Sequence, residues 1–203
     1  MINCRQLYRA YQAYQTGKLG DAAILKADAF GAKINPKVEA KMQRVIGYYP
    51  PIDLEELLKL PENTFGYQYA LHMKEAKLKP FNVSPEMDKI AKRNVFALRY
   101  AVTHDIFHTL LGFDTSYAGE IGVLAFAVAQ NYSKFLGIGL AIAKILYPIL
   151  APRQIQASFA NIRKGTAMGK QVGFLLGYRF EEHWQKPLAE VKSELGFHLT
   201  ESV

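Results

Sequence analysis

Apolar residues recur at intervals of three or four through most of the chain, the spacing of one face of an α-helix. Together with capping and breaking residues, this spacing predicts helices over residues 4–15, 53–59, 65–79 and 84–112, and another that begins at Pro36. Alternating apolar and polar runs bounded by hairpin turns do not occur, so no strands are expected. We therefore predict an all-α fold, organised as a single-domain helical bundle over residues 1–203.

Residues 135–151 form the most apolar run of the chain and resemble a membrane span. The run is at the lower length limit for crossing ~30 Å of hydrocarbon, and it contains Lys144. We expect a buried helix here. A helix that lines a lipid cavity or lies in the membrane interface is the alternative.

Glycines recur every four residues at positions 165, 169, 173 and 177. On one continuous helix they would form a face without side chains, which suits either close helix packing or contact with a long apolar ligand. Packing is the more ordinary interpretation. The lipid interpretation predicts an internal apolar cavity that holds a polyprenyl lipid or isoprenoid phosphate, with Gly169 and Gly173 as lipid-binding residues.

The formal net charge of +7 is concentrated in one window of the sequence. Residues 121–180 contain seven Lys and Arg residues and no Asp or Glu, whereas the rest of the chain is balanced. Such a window favours an anionic membrane surface or a phosphate as the partner. Nucleic acid is not expected, because the cations are spaced singly through apolar sequence and no nucleic-acid-binding motif is present.

Four candidate metal ligands lie close together in the sequence: His104, Asp105, His108 and Glu120. His104 and His108 are one helical turn apart, so both imidazoles can reach one ion. Glu120 follows the helix-breaking Gly112 and a short turn, so a second helix can bring it back over the same ion. Asp105 lies about 100° around the helix from His104 and could either bind the ion or orient an imidazole. Two imidazoles and two carboxylates suit zinc, but also magnesium, manganese or iron.

Three blocks of sequence resemble the coenzyme Q (ubiquinone) biosynthesis protein four family. They are residues 60–69 (LPENTFGYQY), residues 104–120 with the pattern HDxxH-x11-E, and residues 181–196, which begin Glu-Glu-His-Trp. The resemblance implies an all-α fold, zinc held by the four candidate ligands, and a polyprenylated quinone precursor in an apolar cavity. It further implies association with other quinone-biosynthetic proteins and oxidative removal of a ring C1 carboxyl group. Leu124 and Ala127 depart from the family pattern, which usually has Lys and Glu there.

Three functions remain open at this point. The first is a metal-dependent oxidative decarboxylase of a prenylated aromatic acid, and the second a non-catalytic isoprenoid-lipid-binding scaffold for quinone-biosynthetic enzymes. The third, a phosphohydrolase acting on isoprenoid phosphates, lacks the additional separated ligands that such enzymes need. A homodimer is compatible with each of them.

The amino-terminal residues and the single cysteine bear on the compartment. Residues 1–6 contain no hydrophobic core of a signal peptide, and Cys4 has no partner within the chain for a disulfide. We expect a reducing compartment: a bacterial cytoplasm with peripheral membrane attachment, or the matrix side of the mitochondrial inner membrane.

Overall fold

The computed structural model describes residues 2–197, and over this part of the chain the fold is all-α, as the sequence predicts. The α-helices of the described residues are α1 Cys4–Gln15, α2 Leu19–Ala29, α3 Leu54–Leu57, α4 Phe65–Glu75, α5 Asp88–Arg93, α6 Val95–Leu111, α7 Tyr117–Ala129, α8 Lys134–Leu150, α9 Ile155–Gln171 and α10 Leu188–Glu194. Within residues 2–197, four 3₁₀ helices lie at Glu39–Val45, Pro85–Met87, Pro152–Gln154 and Phe180–Glu182.

Local sequence chemistry sets several helix ends as predicted. The Asp53 side chain accepts hydrogen bonds from the backbone N–H groups of Glu55 and Glu56 and so begins α3. Gly112 ends α6 in the left-handed conformation, with φ of +68°, and glycine adopts this conformation without strain.

Three predicted helix ranges are wrong in their bounds. The segment after Pro36 forms a 3₁₀ helix rather than an α-helix, and α4 ends at Glu75. The range 84–112 is interrupted at Asn94, whose side chain caps α6 by accepting from the N–H of Ala97. The same side chain donates to Asp28 and to the carbonyl of Ala32, so contacts distant in sequence stabilise this break.

The central helices α6 and α7 carry the main core. Helix α6 packs against α2, α4 and α7, and α7 also packs against α8 and α9. Arg99 of α6 is completely buried and forms an ion pair of 2.8 Å with Glu181, which is also buried. Its guanidinium also donates to the carbonyls of Tyr48 and Tyr178, so segments before and after α6 are joined to it.

The glycine series belongs largely to helix packing. A Cβ at Gly165 would lie 2.2 Å from the carbonyl oxygen of Gly122, and one at Gly169 would lie 2.7 Å from the carbonyl oxygen of Phe126. These two glycines therefore let the backbones of α9 and α7 touch. Gly173 and Gly177 lie beyond the end of α9, so the four glycines do not share one helical face.

The expectation that residues 135–151 form a buried helix is wrong for one side of α8. Leu136, Leu140 and Ala143 are buried, but the opposite side of α8 exposes large apolar side chains to solvent. Within the described residues no single helix is both long and apolar enough to cross a membrane. Lys134–Leu150 and Pro152–Gln171 reach that threshold only as a pair, and they are bent by 116° relative to each other.

Candidate metal centre and adjoining cleft

Three of the four predicted ligands meet at the facing ends of α6 and α7. His104 Nε2 lies 3.5 Å from one carboxylate oxygen of Glu120, and His108 Nε2 lies 3.4 Å from the other. The three potential ligand atoms all lie within 4.8 Å of one another, so one ion between them could contact all three. The helical spacing and the turn at Gly112 produce this grouping, as the sequence predicts.

His108 is held with one ring nitrogen free to bind an ion. Its Nδ1 lies 3.1 Å from the carbonyl oxygen of Phe113, which can only accept a hydrogen bond, so Nδ1 carries the proton in the neutral ring. The side chain is fully buried, and Nε2 has no hydrogen-bond partner among the described residues. A buried nitrogen without a partner is costly in an empty site, and a metal ion would satisfy it.

Asp105 occupies an orienting position. Its carboxylate lies 3.3 Å from His104 Nδ1, on the side of the ring opposite to Glu120, and the three-residue ligand group does not include it. A carboxylate behind an imidazole fixes the ring and raises its basicity. Of the two roles that the spacing allowed, the geometry therefore favours orientation of His104 over direct binding.

Opposing effects act on the pKa of the buried His108 imidazole. Burial has the largest single effect and lowers the pKa, but the Glu120 carboxylate, the Phe113 carbonyl and Asp105 together outweigh it and raise the pKa above its usual value. A cation placed between these groups would compensate the same negative charge. The group thus attracts positive charge even before any ion binds.

The start of α7 positions Glu120 over the histidines. Ser116 begins the helix, with its hydroxyl accepting from the N–H of Gly119 at 3.2 Å. A Cβ at Gly119 would lie 1.8 Å from the carbonyl oxygen of Asp114, so only glycine permits the tight turn that precedes the ligand. Glu120 consequently lies in the first turn, where the helix dipole stabilises a carboxylate.

An apolar cleft of about 920 Å³ ends at this group. It is lined by α2, by the segment at residues 77–81, by α6 from Phe96 to Asp105, and by Thr115 and Glu120. The part of α6 from Phe96 to His104 is about 12 Å long at 1.5 Å per residue. The volume is within the range of small-molecule sites, ~300–1,000 Å³.

The two predicted lipid-binding glycines lie elsewhere. Gly169 is buried against α7, and Gly173 follows the end of α9, and neither lines the cleft. At Gly169 the space that the spacing left open for a ligand is filled by the backbone of α7, whereas a Cβ at Gly173 would meet only the carbonyl oxygen of Leu195, at 3.9 Å. Lipid binding by these two glycines stays a prediction.

Sequence reasoning missed residues that flank the metal group. Tyr100, one turn before His104, lines the cleft with its ring 5.8 Å from the His104 ring, and Lys77 and Lys79 line the opposite wall. His72 stacks on His108 with ring centroids 5.8 Å apart. Burial, assisted by His108, lowers the pKa of His72. The spacing from Tyr100 to His104 is the one signal that could have identified a member of this set.

The two departures from the family pattern lie farther along α7. Ala127 is fully buried in the main core, and Leu124 packs between that core and α8. Beyond Glu120, α7 therefore contributes apolar surface only. Glu120 is the single carboxylate that this helix brings to the metal group.

A helical fold with a His–His–Glu group at the end of an apolar cleft defines a class: helical proteins whose facing helices together form a candidate metal site. Within this class the chain belongs to the family described as coenzyme Q (ubiquinone) biosynthesis protein Coq4, whose model matches residues 48–201. The resemblance stated from the three sequence blocks is confirmed. The family is one of ubiquinone biosynthesis.

Curated relatives and a solved structure agree with this family. The protein named ubiquinone biosynthesis protein COQ4 homolog, mitochondrial, of Rattus norvegicus is 28% identical over 149 residues, covering 71% of this chain and 54% of its own. The Aedes aegypti protein of the same name is 28% identical over 156 residues, covering 73% and 54%. The chain thus spans about half the length of these relatives.

A crystal structure from Nostoc punctiforme, of a protein provisionally described as a ubiquinone biosynthesis protein, has a similar fold. The TM-score is 0.66 and the sequence identity 26%, and the match covers 97% of this chain and 95% of that one. The likeness extends over the amino-terminal helices, which the family model does not include.

Proposed function

We propose that this protein is a metal-dependent enzyme of prenylquinone biosynthesis, which binds a polyprenylated aromatic acid and removes its ring C1 carboxyl group. The supporting observation is the junction of the apolar cleft with His104, Asp105 and Glu120. An amphiphile with an apolar tail and a small oxygen-rich head has the chemistry that such a cleft accommodates.

The donor set fits a divalent ion. His104 and His108 would bind through Nε2 and Glu120 through its carboxylate, and the unpartnered Nε2 of His108 supports this assignment. Three protein ligands are typical of catalytic zinc, and two His with one carboxylate also suit iron(II), so the set accommodates zinc or iron. A bound ion would supply positive charge beside the oxygen atoms of the acid.

The residues of the cleft would bind and orient the substrate. The walls formed by α2 and α6 would exclude water from the prenyl tail, while Lys77 and Lys79 would attract the carboxylate of the acid. Burial, together with the charge of Glu120, raises the pKa of Tyr100, so its phenol keeps its proton and can donate a hydrogen bond to the head group.

The proposed reaction requires an oxidant. The bond between ring C1 and the carboxyl carbon breaks, a C1–oxygen bond forms, and carbon dioxide leaves. One oxygen atom from water enters the ring and two electrons leave the organic molecule. With dioxygen as the two-electron acceptor, the products are the phenol, carbon dioxide and hydrogen peroxide.

The test is turnover of a prenylated 4-hydroxybenzoate that carries ¹³C in its carboxyl group. The wild-type protein, loaded with iron(II) or zinc and supplied with dioxygen, should release labelled carbon dioxide. His104→Ala should lose both the ion and turnover, whereas the control His183→Ala should keep both, because His183 stacks on Tyr178 away from the cleft. Failure of every loaded sample to release label would reject the enzymatic proposal.

Blocking the cleft tests binding separately from turnover. Ala23→Phe places a ring in the cleft and should abolish binding of the prenylated acid, measured as the ligand-induced rise in melting temperature. Ala167→Phe, on the exposed side of α9, is the matched control and should bind normally. An Ala23→Phe protein that binds as tightly as wild type would show that the tail lies elsewhere.

A second candidate, a non-catalytic isoprenoid-lipid-binding scaffold for quinone-biosynthetic enzymes, is favoured by one observation. Leu124 and Ala127 leave Glu120 as the single carboxylate of α7 at the metal group. Tight binding of the prenylated acid without release of label would select this candidate. The names of the rat and mosquito relatives support a mitochondrial location for a eukaryotic member.

A further inference from the structure

The outer side of α8 is an apolar surface that no other described part of the chain covers. Ile138, Ile142, Ile145 and Ile149 follow the spacing of one helical face and are 61%, 57%, 72% and 72% exposed. Leu146 and Leu150 widen this face. We call these six residues the isoleucine face. Soluble monomers rarely expose a continuous apolar strip of this kind unless it binds something.

The charged residues of α8, the turn that follows it and α9 are all positive. Lys134, Lys144, Arg153 and Arg163 are exposed on α8, the turn and α9, and none forms an ion pair with another described residue. No acidic residue occurs between positions 121 and 180. A partner that complements this surface must therefore be apolar in its interior and negatively charged at its boundary.

A second copy of this chain does not meet that requirement. In a two-fold dimer the same patch faces itself, so the cations of one α8 would approach those of the other. An anionic bilayer does meet it, because acyl chains receive isoleucine side chains while lipid phosphates attract the flanking Lys and Arg. Charge complementarity thus selects a lipid surface over self-association.

The end of α8 lies close to the cleft, so a membrane bound to the isoleucine face would lie near the cleft. Tyr147, on the inner side of α8, packs against Tyr117 of α7 with ring centroids 4.9 Å apart, and Tyr117 is in the same helical turn as Glu120. Burial and the charge of Glu120 raise the pKa of Tyr147, in agreement with this proximity. The end of α8 therefore adjoins the polar end of the cleft.

We propose that the isoleucine face and its flanking cations are a docking surface for an anionic lipid bilayer. On this surface α8, about 25 Å long, lies parallel to the membrane plane with its isoleucines at the boundary between head groups and acyl chains. This places the cleft beside the bilayer from which an isoprenoid lipid would enter. The proposal concerns attachment alone and does not depend on the reaction proposed above.

The test is flotation of the full chain with vesicles of phosphatidylcholine, with or without phosphatidylglycerol. The wild-type protein should bind the anionic vesicles at least tenfold more strongly than the neutral ones, and 0.5 M salt should weaken this binding. The double variant Ile142→Glu/Ile145→Glu should lose at least tenfold. The control pair Tyr8→Glu/Tyr11→Glu, equally exposed on α1, should bind like wild type.

A charge series separates the two parts of the surface. Lys144→Glu should reduce binding to anionic vesicles at least tenfold, because the charge reversal removes one attraction of ~1 kcal/mol and adds a repulsion. Lys37→Glu, an exposed lysine outside the basic window, should have no effect. Equal losses in both variants would show that net charge alone drives binding, and would overturn the proposal.

Two further outcomes would also overturn it. One is a double variant that floats as well as the wild type. The other is a wild-type dimer, seen by sedimentation velocity without lipid, that the double variant converts to a monomer, since this would assign the face to a second copy. Ile142→Ser/Ile145→Ser, with the same expected loss, replaces the double variant if glutamates lower its melting temperature. Metal content measured on the same samples should not change, so failure of docking and failure of the metal proposal are distinguishable.

Discussion

Helix α7 has two sides that make opposite kinds of contact. Toward α9 its backbone touches the backbone of its neighbour at Gly165 and Gly169, with no space between them. Toward α6 it is held away by side chains, with the Phe107 and Phe126 rings 5.8 Å apart and Glu120 facing the histidines. Open space for a ligand therefore lies on the α6 side of α7, where side chains separate the two helices. On the other side, the glycines let α9 pack directly against α7.

The sharpest test of this difference compares two separate glycine-to-alanine substitutions, each of which adds one methyl group. Gly165→Ala should lower the free energy of unfolding by about 3 kcal/mol, because its Cβ overlaps a backbone carbonyl that cannot move away alone. Gly137→Ala, in open space on α8, should change stability by no more than about 1 kcal/mol, in the stabilising direction. Urea unfolding followed by circular dichroism measures both. Similar losses in the two variants would show that α7 and α9 are not in backbone contact.

A second test compares the two carboxylates on the α6 side of α7: Glu120, the candidate ligand, and Asp105, which orients His104. Asp105→Asn should weaken metal affinity by about 10- to 100-fold, the usual effect of losing the partner of a metal-binding histidine. Glu120→Gln should weaken it more, because the ion loses a charged ligand. Competition with a chelator gives the affinities, and the spectrum of the cobalt-loaded protein reports the ligand number. A changed ligand number in Asp105→Asn would mean that Asp105 binds the ion directly.

The smallest expected effect concerns Ser116, whose side chain caps the start of α7. Ser116→Ala should cost about 1 kcal/mol of stability, since Gly119 loses its hydrogen-bond acceptor, and should also weaken metal binding by disturbing the turn that carries Glu120. Asp53→Ala removes a comparable cap from α3, far from the metal group, and should cost similar stability without a change in metal affinity. Equal metal affinities in the two variants would show that the Ser116 cap does not position Glu120 for metal binding.

The metal group was predictable because its determinants are local. Two histidines one turn apart, a glycine that can adopt positive φ and a serine cap define the geometry within seventeen residues. The role of Asp105 was not fixed by spacing, because a residue 100° around the helix from His104 can reach an ion or a ring nitrogen equally well. Only the side-chain arrangement separates these roles.

The incorrect predictions concern features that depend on contacts with residues distant in sequence. Asn94 interrupts an otherwise helical pattern because Asp28 and Ala32 bind its side chain. The exposed face of α8 is as apolar as its buried face, so hydrophobicity could not indicate which side is covered. The glycine spacing correctly indicated close approach at positions 165 and 169, where the approaching group is a neighbouring helix.

The ion pair between Arg99 and Glu181 has a consequence for the timing of folding during synthesis. The guanidinium of α6 is completely enclosed, and its carboxylate partner is 82 residues later in the chain. At about 5 to 20 residues per second, the ribosome needs roughly 4 to 16 s to add those residues. A buried cation without its partner is strongly destabilising, so α6 cannot take its final place before then. The helix that carries both histidines is thus synthesised early but reaches its final position late, so the candidate metal group can assemble only near the end of translation.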